Sequence, residues 1–306
     1  MRVKRRASLY WKTSLNNLSY SISAIRQQQP GPDNFTGEYK VAKMSKPTIV
    51  LVPGSFALPV LYDNLVDAIV AKGYEIKALH YPCVGLKTEP REGELPTMYD
   101  DAACIAEQVA NLANDGKDVM LVAHSYGGVP TTESTKGLTK KERQKEEKRG
   151  GVVRISYMTS IVPAVGSSAE DLLGEMPDEN RVKYNLDEKG WLHFADIPAA
   201  SRRIVSDLPD QKQREELVEG FQIHSSVSFF NKLTHAGYKD VPVSYLLCED
   251  DEIILPKSQR DGIDIIEKAS GNKVDITSIK AGHCPTVTAL EKVVDWIIQA
   301  AAKHET

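Results

Sequence analysis

The sequence lacks the features of membrane and metal proteins. None of its apolar runs approaches the roughly 20 consecutive residues that a membrane-spanning helix requires. The cysteines show neither a CxxC pair nor a histidine spacing suited to zinc; they are Cys83, Cys104, Cys248 and Cys284. We therefore expect free thiols, with no metal, no disulfide framework and no membrane partner.

A strong net charge is also missing. The formal net charge of -4 at pH 7 argues against nucleic acid as a partner. The charge is uneven, because residues 1–43 carry eight basic and two acidic side chains, a net of +6 that leaves -10 for the remainder. We interpret residues 1–43 as a disordered or targeting-like tail, since Met44 stands just before the first predicted strand. The expected location is cytoplasmic, and the transit-like composition of the tail leaves a mitochondrial location as the alternative.

Apolar runs and helical periodicities alternate through residues 44–306, which we predict to be one domain. This alternation predicts an α/β fold with a mostly parallel, doubly wound sheet. No strand is obvious at about 165–240, so we predict a helical cap inserted between strands. The mixed-charge run at 136–149 reads as a solvated insertion.

The most informative stretch is a buried strand that ends in a sharp turn at Ser125. Val119–Ala123 is a short apolar run, and Gly127 and Gly128 leave room for a tight corner after it. Ala123-His124-Ser125-Tyr126-Gly127 matches the nucleophile elbow G-x-S-x-G except that alanine replaces the first glycine. Such a corner exposes the serine hydroxyl, and the N–H of Tyr126 would contribute half of an oxyanion hole.

A serine nucleophile requires a base and an orienting acid, and both follow later strands. One predicted strand runs into Glu249, Asp250 and Asp251, and another runs into His283. Because parallel strands end at the same edge of a sheet, both groups could reach Ser125. The spacing to the turn at 254–256 favours Asp251, while Asp250 and Glu249 remain alternatives.

Four stretches in this order resemble the α/β-hydrolase fold serine hydrolases, close to the single-domain branch that includes plant methyl-ester esterases and hydroxynitrile lyases and many fungal and bacterial hydrolases. The stretches are Leu51–Ser55, Ala123–Gly127, Val241–Asp251 and Ala281–Pro285, and the resemblance covers about residue 47 to the final helix. It implies Ser125 as nucleophile, His283 as base and Asp251 as orienting acid. It also implies the N–H groups of Ser55 and Tyr126 as the oxyanion hole, with Phe56 as the alternative to Ser55.

We therefore expect an esterase or lactonase that acts on a small-molecule ester or lactone without a cofactor, and we leave a homodimer open. A hydroxynitrile lyase is disfavoured, because that branch is expected to carry a lysine after the histidine, where this chain has Cys284. A ligand-binding receptor on the same fold is the other alternative.

The remaining histidines and the cap aromatics are expected to serve mainly in packing. His124 is read as a packing residue whose side chain points away from the site. The other such residues are His80, His193, His224, His235, Trp191, Phe194, Phe221, Phe229 and Phe230.

Overall fold

A computed structural model describes residues 46–89, 93–174 and 181–303. The tail predicted at residues 1–43 therefore lies outside the described residues. The strands, in chain order, are β1 Thr48–Val52, β2 Ile76–Ala78, β3 Val84–Gly85, β4 Asp118–His124, β5 Gly151–Met158, β6 Tyr184–Leu186, β7 Trp191–Phe194, β8 Ile223–Ser225, β9 Val243–Cys248 and β10 Asp275–Ile279. The helices are α1 Asp63–Ala71, α2 Met98–Asn114, α3 Gly128–Glu133, α4 Lys140–Lys145, α5 Ala169–Leu173, α6 Ile197–Ile204, α7 Gln211–Glu219, α8 Pro256–Ser270, α9 Pro285–Thr288 and α10 Leu290–Ala302.

The central sheet has six parallel strands in the order β10-β9-β5-β4-β1-β2. Every residue of β1, β4, β5 and β9 is buried, and β1 and β4 accordingly contain continuous apolar runs in the sequence. The predicted α/β class with a mostly parallel sheet is confirmed.

Local signals in the sequence explain where the long helices begin and end. Thr97 and Asp100 form a capping box at the start of α2, so that two N–H groups of the first turn have acceptors. Helix α8 begins with Pro256 and ends before Gly271, which adopts the left-handed conformation at φ 71°. In the described ranges, no helix combines the length and the apolar character needed to cross a membrane.

The inserted segment differs from the helical cap that we predicted. It contains helices α5, α6 and α7, but β6, β7 and β8 also form an antiparallel sheet with β3. Trp191–Phe194, which lies within the predicted helical cap, is strand β7. Strands of three or four residues are too short to show a reliable alternation of apolar and polar residues, so the sequence did not reveal them.

The charged run at 136–149 is also more ordered than predicted. It contains helix α4, whose first turn is closed by a capping box between Thr139 and Glu142. Arg143 is buried, and its guanidinium donates hydrogen bonds to the carbonyl oxygens of Arg149 and Gly150 and to the side chain of Asn114 at the end of α2. One side of this run is therefore anchored to the body of the protein.

Four strands of the central sheet bring the candidate site together. Because the strands are parallel, the loops after β1, β4, β9 and β10 all leave the same edge of the sheet. These loops carry Ser55, Ser125, Asp251 and His283, respectively.

Candidate active site

Ser125 occupies a strained corner between β4 and a helical turn at Ser125–Gly127. Its φ of 54° lies in the left-handed region, which is uncommon for a residue other than glycine. The surrounding chain stabilises this corner, because the hydroxyl of Ser160 and the N–H of Ile161 donate hydrogen bonds to the carbonyl oxygen of Ser125 at 2.7 and 3.1 Å. A Cβ atom on Gly127 would collide with the carbonyl oxygens of Pro53 and Val52, so only glycine fits there.

A chain of hydrogen bonds joins Ser125, His283 and Asp251. His283 Nε2 lies 2.9 Å from Ser125 Oγ, and His283 Nδ1 lies 2.8 Å from Asp251 Oδ2. An ionised carboxylate can only accept hydrogen bonds, so the proton of the neutral ring belongs on Nδ1 and leaves Nε2 free to accept from the serine hydroxyl. This is the arrangement that a general base for Ser125 requires.

Of the three acidic residues at 249–251, the structure brings Asp251 to His283. It is buried, whereas Glu249 and Asp250 are exposed. The N–H groups of Ile253 and Ile254 donate to Asp251 Oδ1 at 2.6 and 3.0 Å, and the hydroxyl of Thr159 donates to Oδ2. These bonds hold the carboxylate in the orientation that faces the imidazole.

The loop after β1 is held by hydrogen bonds to the peptide groups on both sides of Ser55. Gly54 N–H donates to Tyr62 Oη at 3.0 Å, and Phe56 N–H donates to His224 Nδ1 at 3.3 Å. The hydroxyl of Tyr81 donates to the carbonyl oxygens of Gly54 and Pro53 at 2.8 and 3.1 Å. Within the described ranges, the Ser55 N–H has no such partner. Of Ser55 and Phe56, it is therefore Ser55 whose N–H remains free for a ligand oxygen.

His124 does not have the simple packing role that we predicted, and its side chain does not point away from the site, because it lines a cavity at Ser125. It is buried, with Nδ1 2.7 Å from Tyr62 Oη and Nε2 2.7 Å from the carbonyl oxygen of His283. A polar residue at the end of an otherwise apolar buried strand was the available signal, because buried polar groups are nearly always hydrogen-bonded. The partner Tyr62 carried no signal in the sequence.

His224 is likewise part of the site's framework, and not only of its packing. Burial lowers the pKa of His224 to about 3, so the ring is neutral at ordinary pH. Its Nδ1 accepts from Phe56 N–H, and its Nε2 donates to the hydroxyl of Ser228 at 3.1 Å. Because β8 belongs to the inserted segment, this histidine links that segment to the loop after β1.

Two cavities meet at Ser125. The smaller, of about 60 Å³, lies on the side of His283 and is lined mainly by Leu61, Phe194, Ile204, Leu217, Phe221 and Val287. The larger, of about 360 Å³, lies on the side of Tyr126 and is lined mainly by Leu173, Val182, Leu192, Phe229, Phe230 and Ile254. Four of the cap aromatics that we expected to serve mainly in packing thus also face these cavities.

Nothing in the described ranges suggests a metal centre at this site. No group of three or more potential ligand side chains comes together in the described residues. All four cysteines are free thiols, and burial raises the pKa of Cys284 beside His283, which makes it a poor nucleophile.

A parallel α/β sheet that carries a serine, a histidine and an aspartate at its strand ends is typical of a large class of hydrolytic enzymes. Comparison with known proteins gives the family. Residues 49–296 match the sequence profile described as the Alpha/beta hydrolase family, and the chain belongs to this family. Hydrolase activity is what this membership supports.

Individual relatives agree with this assignment. The chain is 35% identical over 260 residues to "Probable hydrolase R7" of Phoma sp. (strain ATCC 20986 / MF5453), a match that covers 84% of this chain and 99% of the relative. It is 24% identical over 255 residues to "Methylesterase 8" of Arabidopsis thaliana, covering 81% and 85%. A solved pyrethroid hydrolase from Sphingobium faniae JZ-2 shares the fold with a TM-score of 0.62 at 20% identity, covering 84% of this chain and 97% of that one.

Proposed function

We propose that this protein hydrolyses carboxylic esters or lactones through an acyl-enzyme on Ser125. The observation that carries the proposal is the pair of hydrogen bonds of 2.9 and 2.8 Å that links Ser125 to His283 and His283 to Asp251. His283 takes the hydroxyl proton as Ser125 attacks the carbonyl carbon, and Asp251 stabilises the imidazolium that forms. No cofactor takes part in this scheme.

The N–H groups of Ser55 and Tyr126 are the proposed donors to the oxyanion. The Ser55 N–H is without a partner in the described ranges while the N–H groups on either side of it are engaged, and Tyr126 follows the nucleophile at the start of a helical turn. Donors held in place before the reaction stabilise negative charge more effectively than water does. His283 then gives its proton to the leaving alcohol, and a water molecule hydrolyses the acyl-enzyme.

The two cavities support a proposal for which part of an ester binds on each side of Ser125. The leaving oxygen must come within reach of His283 Nε2, and the cavity beside His283 is the one of about 60 Å³. The acyl part then occupies the cavity of about 360 Å³, whose lining is largely apolar. We therefore propose esters of small alcohols with a larger, mostly apolar acid, in line with the name of the methylesterase relative.

The first experiment is turnover of methyl esters and small lactones, followed as release of acid, together with labelling by a fluorophosphonate probe. We expect Ser125→Ala to lose both labelling and turnover. Ser156→Ala is the matched control, because Ser156 is a buried serine on β5 whose hydroxyl has no hydrogen-bond partner in the described residues. Absence of labelling in the wild type would contradict the assignment of Ser125 as the nucleophile.

A second series uses one aromatic acid esterified with methanol, ethanol, butanol and benzyl alcohol. We expect kcat/KM to fall as the alcohol grows, because the cavity beside His283 is the smaller one. Equal rates across the series would contradict this placement of the alcohol. Labelling of the wild type without turnover of any ester or lactone would favour the ligand-binding alternative.

A further inference from the structure

A buried row of hydrogen bonds joins the loop after β1 to the loop after β10. Gly54 N–H donates to Tyr62 Oη at 3.0 Å, Tyr62 Oη lies 2.7 Å from His124 Nδ1, and His124 Nε2 lies 2.7 Å from the carbonyl oxygen of His283. Tyr62 and His124 are each only 4% exposed. The row therefore runs from one side of Ser125 to the other, and Tyr62, His124 and His283 also form part of the wall of the smaller cavity.

The chemistry of the two ends determines where the protons of this row lie. The carbonyl oxygen of His283 can only accept, so His124 Nε2 must carry a proton. Burial lowers the pKa of His124 to about 3, which keeps its ring neutral and leaves Nδ1 as an acceptor for the Tyr62 hydroxyl. Gly54 N–H can only donate, and Tyr62 Oη accepts from it. Every member of the row is thus satisfied by one arrangement of protons.

The row connects two parts of the site that the sheet itself does not connect. Strands β1 and β10 are separated in the sheet by β4, β5 and β9. His124 is the last residue of β4, which lies directly beside β1, and its ring reaches the backbone of His283. The side-chain pair Tyr62 and His124 can therefore fix the distance between the oxyanion donor at Ser55 and the base at His283.

We propose that Tyr62 and His124 are positioning residues that hold the Gly54–Ser55 loop and the His283 loop in register around Ser125. The proposal rests on the function proposed above for Ser55 and His283. Neither side chain is required to touch the substrate's reacting atoms; each acts through the backbone that it binds. An error of about 1 Å in such placement can cost on the order of 100-fold in rate.

A neutral histidine suits this task better than a charged side chain would. The His124 and His283 rings have their centres 5.1 Å apart. A cation at His124 would oppose the imidazolium that forms on His283 during the reaction, because like charges in a poorly solvated site repel strongly. The row thus supplies rigidity without adding charge beside the base.

The test compares Tyr62→Phe and His124→Gln with the wild type, and uses Tyr238→Phe as the matched control. Tyr238 is also a buried tyrosine; its hydroxyl donates to the carbonyl oxygen of Pro163, and it does not line either cavity at Ser125. Both test variants cut the link between the tyrosine hydroxyl and the imidazole. His124→Gln can still present an amide donor toward the His283 carbonyl.

We expect kcat on the best ester to fall about 10-fold to 100-fold in both test variants, with little change in KM. Affinity for the trifluoromethyl ketone analogue of that ester should fall by a similar factor, because this inhibitor forms an oxyanion on Ser125. Affinity for the product acid should not change. Tyr238→Phe should match the wild type in all three measurements.

The double variant Tyr62→Phe/His124→Gln is expected to be no slower than Tyr62→Phe alone, because each substitution removes the same link. Strictly additive losses, unchanged kcat in a folded variant, or an equal loss in Tyr238→Phe would overturn the proposal. If Tyr62→Phe does not fold, the same three measurements on His124→Gln decide. A wild type that neither labels nor turns over esters would instead be a failure of the proposed function.

Discussion

Asp251 has contacts that its neighbours in the sequence do not share. Its carboxylate accepts hydrogen bonds from Ile253, Ile254, Thr159 and His283, so that both oxygens are engaged. Glu249, two positions earlier, instead accepts from the hydroxyl of Ser278 at the sheet edge. In the proposed mechanism, the first arrangement sets the tautomer of His283 and the second has no effect on it.

We predict that Asp251→Asn lowers kcat by about 1,000-fold to 10,000-fold, because an amide can stabilise the wrong tautomer of the imidazole. The matched substitutions Asp250→Asn and Glu249→Gln should leave kcat unchanged. Steady-state kinetics on one ester checks all three. Equal losses in Asp250→Asn and Asp251→Asn would mean that the orienting acid is wrongly assigned.

The buried His224 predicts how stability depends on pH. Its pKa is lowered by burial from 6.5 to about 3, so below pH 6.5 the unfolded chain binds a proton that the folded chain does not. The contribution to stability is complete above pH 6.5 and is lost as the pH falls toward 3, by at most about 1.4 kcal/mol per pH unit.

We therefore expect the free energy of unfolding to fall less steeply in His224→Gln than in the wild type between about pH 6.5 and about pH 4.5. At neutral pH the free energy of unfolding of the variant is lower than that of the wild type, because Phe56 N–H loses its acceptor. Urea unfolding at several pH values measures both curves. Two parallel curves would show that His224 does not titrate as described.

At the scale of elements, the turn from β4 into α3 sets the position of Ser125. Two glycines allow the backbone of this turn to approach β1 and the segment after β5, since added Cβ atoms at Gly127 and Gly128 would overlap Pro53 and Ser160. Helix α8, by contrast, has ordinary space around Gly262, whose added Cβ atom would lie 3.5 Å from Val162.

We predict that Gly127→Ala destabilises the protein by about 1–3 kcal/mol and abolishes most of the activity, because the strand and the elbow must separate. Gly262→Ala is the control, and it should be neutral or stabilising by up to about 1 kcal/mol, since alanine favours the helix. Denaturant unfolding and ester turnover measure the two effects. Full activity in Gly127→Ala would contradict the close approach.

At the scale of the whole molecule, the described residues of the site are far apart in the chain and lie within its family-related part. The loop after β1, the elbow, Asp251, His283 and the residues lining both cavities lie between positions 53 and 287. The family match begins at residue 49.

We predict that a chain beginning at Met44 has the same kcat and KM as the full chain. The measurement is parallel kinetics on both proteins with the same ester, with thermal unfolding as a check that both are folded. A lower kcat in the shorter chain, with unchanged unfolding, would show that the segment takes part in catalysis.

Short-range sequence patterns determined a large part of the fold and of the candidate site. The buried strands were evident from apolar runs, because a strand covered on both faces needs apolar side chains at consecutive positions. The elbow was evident from small residues around Ser125, because the turn is sterically possible only with them. The acidic cluster and His283 were assigned to strand ends, because parallel strands place their carboxyl ends together.

Contacts between distant residues were decided only by the tertiary structure. Asp251 differs from Glu249 and Asp250 through Thr159 and His283, which are 92 and 32 residues away in the sequence. Ser55 differs from Phe56 because His224 and Tyr62 engage the neighbouring N–H groups. No local pattern encodes such pairings, since a hydrogen bond depends on the positions of two groups that only the folded chain brings together.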